Sequence, residues 1–129
     1  MGSTRLEHVN ITVSDPAKTA AWLTDVFEWH IRWQGEAING GYTIHIGTDD
    51  HYLAIYNPKQ PLKSGNISYT QRGGLNHVAI VVDDLDAVEA RVVAAGFTPV
   101  NHADYEPGRR FYFRDHDNVE YEIVSYDVV

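Results

Sequence analysis

The side chains of this chain that can do chemistry are imidazoles, carboxylates and phenols. There are seven histidines, eighteen acidic residues and eight tyrosines, and no cysteine at all. Thiolate nucleophiles, disulfides and cysteine zinc sites are excluded together. What remains is proton transfer by histidine or carboxylate, and metal binding through nitrogen and oxygen. Two of the histidines stand in matching settings. Leu6-Glu7-His8-Val9-Asn10-Ile11-Thr12-Val13-Ser14-Asp15 lies over Leu75-Asn76-His77-Val78-Ala79-Ile80-Val81-Val82-Asp83-Asp84, with leucine, histidine, valine, isoleucine, valine and aspartate in register. A single histidine on a strand is usually solvated or hydrogen-bonded. A histidine repeated at one place of a duplicated segment points to a site.

The elements that must position these residues follow from periodicity. Both segments alternate apolar and polar residues, as a half-buried strand does. Asp15-Pro16 then supplies an N-cap and a first-turn proline, followed by an apolar stripe of Ala20, Leu23 and Phe27. In the second copy Asp84 caps a stripe of Leu85, Val88, Val92 and Ala95, which Gly96 closes. Strands are predicted at 30–36 and 42–47, flanking the hairpin signal Asn39-Gly40-Gly41, and at 51–56 after Thr48-Asp49-Asp50. Their counterparts are 98–102, 110–114 and, past the turn Asp115-His116-Asp117-Asn118, 119–124. The order is βαβββ twice, an α+β chain in a single domain. Its modules span about 4–57 and 75–126, and a linker at about 58–74 carries two prolines and three glycines. That linker exceeds the usual loop length, which suggests a functional flap or a crossover.

Alternation also sorts the faces. Val9, Ile11 and Val13 should meet the helix, which leaves His8, Asn10 and Thr12 opposite. Val78, Ile80 and Val82 likewise leave His77, Ala79 and Val81. Phe111 and Phe113 form a core pair and place Tyr112 on the histidine face, as Ile44 and Ile46 place His45. Glu120, Glu122 and Val124 share a face, while Tyr121 and Ile123 turn away; Tyr52, Ala54 and Tyr56 line the equivalent strand. Brought together, two such polar faces would enclose a cup, where chemistry would sit.

The net charge of −8 repels a phosphate backbone, so no nucleic-acid partner is expected. The amino terminus has no apolar signal core, and no apolar run is long enough to span a bilayer. The sequence reads as a soluble, cytoplasmic protein with a small-molecule substrate or ligand and no membrane partner.

The strand L-x-H-V-x-I-x-V-x-D, its repetition at 75–84, and the ending Phe111-Tyr112-Phe113-Arg114-Asp115-His116-Asp117 up to Glu122 resemble the vicinal-oxygen-chelate superfamily. That superfamily includes glyoxalase I, extradiol dioxygenases, fosfomycin-resistance enzymes, methylmalonyl-CoA epimerase and bleomycin-resistance binding proteins. The resemblance implies two βαβββ modules forming a curved mixed sheet, as half-barrels around a central cup. It also implies one divalent metal ion (Fe2+, Mn2+, Ni2+ or Zn2+) and a homodimer. Carried over position by position, the ligands fall on His8, Ala54, His77 and Glu122. Alanine cannot bind, so two imidazoles and one carboxylate remain, leaving about three coordination positions open for neighbouring substrate oxygens, water or dioxygen. The family's turn D-P-D-G-N reads here Asp115-His116-Asp117-Asn118-Val119. Loss of its proline and glycine is expected to put the strand register in question, with Glu120 as the alternative ligand.

By the same resemblance His45 or Tyr112 is the acid–base candidate. Asn10, Tyr52, Arg109 and Arg110 are substrate contacts, the two arginines following Glu106-Pro107-Gly108 in a loop at the cup mouth. A phosphonate clamp would have to come from Arg109, Arg110 or Arg114, and Asn10 stands where the fosfomycin enzymes have threonine. Two further readings stand beside the dioxygenase-like or lyase-like enzyme. One is a metal-free sequestering protein of the bleomycin-resistance kind, whose negative charge and tryptophans suit a cationic aromatic ligand. The other is a glyoxalase-like isomerase or lyase that recruits His51 or Asp50 as a replacement ligand.

Overall fold

Each helix is started by a side chain. The Asp15 carboxylate accepts from the Lys18 backbone N–H at 3.2 Å, and that of Asp84 from the Ala87 N–H at 3.1 Å, satisfying donors that a helix cannot pair internally. The computed structural model describes residues 2–63, 69–105 and 108–126. The chain divides into two compact units, Met1–Lys63 and Ser64–Val129.

The first unit runs β1 (His8–Thr12), α1 (Pro16–Phe27), β2 (His30–Glu36), β3 (Tyr42–Gly47) and β4 (Tyr52–Asn57). Its four-stranded sheet has the order β1-β4-β3-β2, with β1 parallel to β4 and the other pairs antiparallel. The second unit repeats this with β5 (Val78–Val81), α2 (Leu85–Ala94), β6 (Val100–Tyr105), β7 (Gly108–Arg114) and β8 (Glu120–Ser125). Its order is β5-β8-β7-β6, with β5 parallel to β8. The fold is α+β, two βαβββ modules each with a mixed sheet. Among the described residues no helix is long and apolar enough to cross a membrane.

The cores lie on the predicted faces. Ile11, Val13, Leu23, Val26, Ile44, Ile46 and Ile55 are buried in the first unit; Leu85, Val88, Val92, Phe111, Phe113, Tyr121 and Ile123 are buried in the second. Full burial of each large side chain contributes roughly 1.5–3 kcal/mol. The rings of Phe113 and Tyr121 stack at 5.4 Å, and those of Phe97 and Phe113 at 5.7 Å. Gly96 follows α2 at φ +97°, the left-handed position that glycine fills without strain.

Three elements differ from expectation. β6 starts later and runs further than 98–102, with a register shift between Val100 and Ala103 and Asn101 at φ +55°. Such a bulge leaves no trace in alternation. β7 begins at Gly108, so Arg109 and Arg110 belong to a strand and not to a loop; Glu106 and Pro107 lie outside the described residues. The turn into β8 keeps its register despite the lost proline and glycine. Asn118 takes φ +65°, which asparagine tolerates better than most side chains. The Asp115 carboxylate accepts from the N–H groups of Asp117 and Val119 at 2.9 and 3.0 Å.

Asp115 is buried, and its Oδ2 has no hydrogen-bond partner. Burial raises its pKa above the ordinary 3.8 against the pull of the two backbone donors. A carboxyl with a raised folded-state pKa stabilises the fold fully below its unfolded value, and that contribution is lost as pH rises through the folded one. Asp115→Asn has no proton to lose. Its Tm relative to wild type should therefore climb from about pH 4 to about pH 7, and a difference flat across that range would contradict the burial argument.

Candidate functional site

Strand register shows which positions of the two modules correspond. In the first sheet His8 lies opposite Tyr52, and Ala54 lies opposite both Asn10 and His45. In the second, Glu122 lies opposite Ala79 and Tyr112. Ala54 and Glu122 are therefore the same position in two copies. So are His45 and Tyr112, the two acid–base candidates. Thr43 opposite Tyr56 corresponds to Arg110 opposite Val124, and Tyr52 to Glu120.

The second unit joins His77, Glu122, Arg110 and Tyr112. His77 stands just before β5, and its Nε2 is 2.9 Å from Glu122 Oε1. Arg110 donates from its NH1 to Glu122 Oε2 at 2.8 Å. Tyr112 meets the His77 ring edge-on at 5.7 Å. Glu122 and the Arg110 side chain are only 10% and 14% exposed, so this carboxylate needs its cation: a buried charge without one is expensive. Burial first, and the Glu122 charge second, push the Tyr112 phenol up and keep it protonated at neutral pH.

The other nitrogen of His77 decides what the pair can hold. Nδ1 lies 2.6 Å from the Asn76 side-chain oxygen, an acceptor, so Nδ1 carries the hydrogen. In a neutral ring Nε2 is then a lone pair facing a carboxylate lone pair. Something positive belongs between them, either a proton on the ring or a metal ion. Adjacent donors around an octahedral ion with bonds of about 2.1 Å lie roughly 3 Å apart, and the observed 2.9 Å matches this. A nitrogen and an oxygen of the types that hold a divalent cation thus lie side by side.

The first unit holds rings. His8 and His45 both stack on Tyr52, with centroids at 4.9 and 4.7 Å, and lie 6.3 Å from each other. Trp33 reaches His45 at 5.2 Å, and the Arg32 guanidinium sits 4.4 Å from the Tyr52 ring. His8 donates from Nδ1 to Glu7 Oε1 at 2.8 Å, and the Tyr52 hydroxyl donates to the same oxygen at 3.1 Å. These two bonds, His8 first, draw the Glu7 pKa down. Both candidate histidines thus have Nδ1 fixed by the residue before them, which leaves Nε2 as the nitrogen for a ligand. Burial, then the positive surroundings of His8 and Arg32, lower the His45 pKa and favour its neutral, proton-accepting form.

Asn10 lies on the histidine face beside Ala54. Arg109 does not join the cluster. It points to the other face of β7, in a strand and not in the expected loop, and donates to Asp86 on α2 at 3.0 Å. Glu120 is engaged elsewhere, accepting from Tyr69 and Arg114, so the carboxylate brought to His77 is Glu122. His30, His51 and His102 are exposed, and Asp50 is exposed beside His51. Within neither unit, among the described residues, do three histidine or acidic side chains gather as a metal site. Glu7, Asn76, Arg32 and Trp33 were not singled out by the sequence. The only signal for the first two was an oxygen-bearing side chain preceding each repeated histidine.

Similar folds are found among solved structures. A glyoxylase/bleomycin resistance protein/dioxygenase domain from Frankia sp. EAN1pec superposes with a TM-score of 0.79 at 22% identity, covering 96% of this chain and 98% of that one. A variant of the fosfomycin resistance protein FosX from Listeria monocytogenes was solved with Mn(II) and 1S,2S-dihydroxypropylphosphonic acid. It matches with a TM-score of 0.72 at 19% identity, over 99% and 96% of the two chains. TnmS3, an antibiotic binding protein from Streptomyces sp. CB03234, gives 0.73 at 17% identity, over 97% and 98%. A search of curated proteins found no matching sequence. The family model whose description is Glyoxalase/Bleomycin resistance protein/Dioxygenase superfamily matches residues 5–123. A match of that extent takes in both βαβββ modules and both repeated histidines, and the chain belongs to that superfamily.

Proposed function

We propose that this chain is a divalent-metal-dependent enzyme acting on a small substrate chelated through two neighbouring oxygens, in the manner of an extradiol dioxygenase or a lyase. The observation that carries this is the His77–Glu122 pair, whose nitrogen and oxygen lie 2.9 Å apart. His77 and Glu122 would hold the ion, with His8 as the third ligand. Bound there, the ion would act as a Lewis acid and template for developing negative charge on the substrate oxygens.

The chain's own residues do the rest. Asn76 and Glu7 fix the two imidazoles in the tautomer that offers Nε2. Arg110 holds Glu122 by Oε2 and leaves Oε1 toward His77. His45, favoured neutral, accepts a proton from the substrate at its ring nitrogen; Tyr112 keeps its proton and donates a hydrogen bond from its hydroxyl. Asn10 and Tyr52 contact the substrate from the first sheet.

A second reading has an observation of its own. Arg110 and a protonated His77 balance Glu122 without any metal, and the rings of the first unit would suit a ligand held by stacking. On that reading the protein binds and sequesters a small molecule; TnmS3, of similar fold, is an antibiotic binding protein.

Metal content separates the two. After anaerobic reconstitution with Fe2+, Mn2+ or Zn2+, the wild type should keep about one equivalent, and His77→Ala and His8→Ala should keep none, while Asn76→Ala weakens binding by about 10–100-fold. A wild type that retains no stoichiometric metal under any of these conditions overturns the enzyme and leaves the sequestering protein. Metal retained equally by His8→Ala would remove His8 from the ligand set.

A further inference from the structure

A cleft of the second unit lies beside the His77–Glu122 pair, with Tyr112 in its wall. It encloses about 680 Å³, within the range of about 300–1,000 Å³ typical of small-molecule sites. Tyr69, Phe97, Val100, Tyr112, Arg114 and Glu120 are among its walls. Its charged groups satisfy each other. Glu120, only 7% exposed, accepts the Tyr69 hydroxyl at 2.7 and 2.8 Å through its two oxygens and Arg114 NH2 at 3.0 Å. Arg114 NH1 donates to the Asn118 carbonyl at 3.1 Å. The remaining polar walls, Thr98 and Asn101, are neutral.

What the cleft offers a ligand is ring and aliphatic surface beside polar groups, without net charge. Tyr69 and Val100 are 52% and 43% exposed, well above what a core role would leave. An ionic ligand would find one cation and one anion already paired. It would lose its own hydration for no compensating partner. A flat, uncharged ring system loses little on entering and gains offset stacking on the tyrosines. The cleft also continues into the candidate site, because Tyr112 lines it, touches His77 and lies opposite Glu122.

We propose that this cleft is a subsite for an uncharged planar aromatic portion of the ligand, held between Tyr69, Val100 and Tyr112. The proposal rests on the reading above only for where the chelating end of the same ligand would lie. It makes the ligand larger than a three-carbon acid. It also makes the ligand neutral at the end remote from Glu122, in contrast to the cationic aromatic ligand that net charge alone suggested.

The test uses three bicyclic probes that differ in charge: 2-naphthol, 2-naphthoate and N-methylquinolinium. Their binding to the full chain is followed by fluorescence, with metal present and after chelation. The expected result is 2-naphthol bound best, by about tenfold over either ion, and equally well with and without metal. Val100→Trp, which fills the cleft, and Tyr69→Ala, which removes a wall, should each weaken 2-naphthol by about tenfold at unchanged metal content. Circular dichroism identifies a misfolded variant, and Tyr69, half exposed in a turn, gives an independent check on Val100. Arg109→Ala, on the opposite face of β7 and paired with Asp86, should bind 2-naphthol as wild type does. Unchanged 2-naphthol binding in both Val100→Trp and Tyr69→Ala would overturn the subsite, as would tightest binding of either ion. Absence of metal in the wild type would strike the chelation reading and leave the subsite standing.

Discussion

The Glu122 carboxylate is the constraint on which the second unit depends. It sits on a central strand, nearly buried, between an imidazole nitrogen and a guanidinium. A carboxylate there costs several kcal/mol of lost hydration unless cations and hydrogen bonds replace the water. Arg110 answers for one oxygen. The other faces a nitrogen whose partner nitrogen already carries the hydrogen, so the arrangement closes only with a proton or a metal ion between them. Tyr112 across the strand and Asn76 before His77 then follow as groups that hold this geometry in place.

Duplication explains why a site of this kind is economical, and divergence explains why it is asymmetric. One βαβββ module supplies the same backbone positions twice, and the sequence fills them differently. At the carboxylate position the first copy has Ala54, 2% exposed, with no room for a charge; where the second copy has Arg110, the first has Thr43. The result is one sheet face built of stacked rings around Tyr52 and another built of ion pairs around Glu122.

Much of this was legible in the sequence, for definite reasons. The repeated histidine strand carried the fold because period-two burial is strict when one face packs on a helix. Phe111, Phe113, Tyr121 and Ile123 fell on the core side accordingly, and Tyr112 and Glu122 on the other. What was lost depended on short-range geometry that composition does not encode. Arg109 and Arg110 are neighbours of one type. Only the start of β7 at Gly108 decides that Arg110 reaches Glu122 while Arg109 turns to Asp86 on α2. The missing glycine in the turn before β8 threatened a register slip, but Asn118 adopts the left-handed conformation and keeps it. Trp33 drew no reading of its own from the sequence; it pairs with His45 just past an irregularity in β2, and its ring reaches that imidazole.

The central claim is that Glu122, and not the neighbouring Glu120, completes a cation site with His77. The most direct measurement is Mn2+ affinity, followed by electron paramagnetic resonance of the free ion, in Glu122→Gln beside Glu120→Gln. Both substitutions keep size and hydrogen-bonding shape while removing one charge. Glu122→Gln should abolish tight Mn2+ binding and Glu120→Gln should leave it close to wild type, because Glu120 is spent on Tyr69 and Arg114. Equal loss in both, or loss in Glu120→Gln alone, would contradict it.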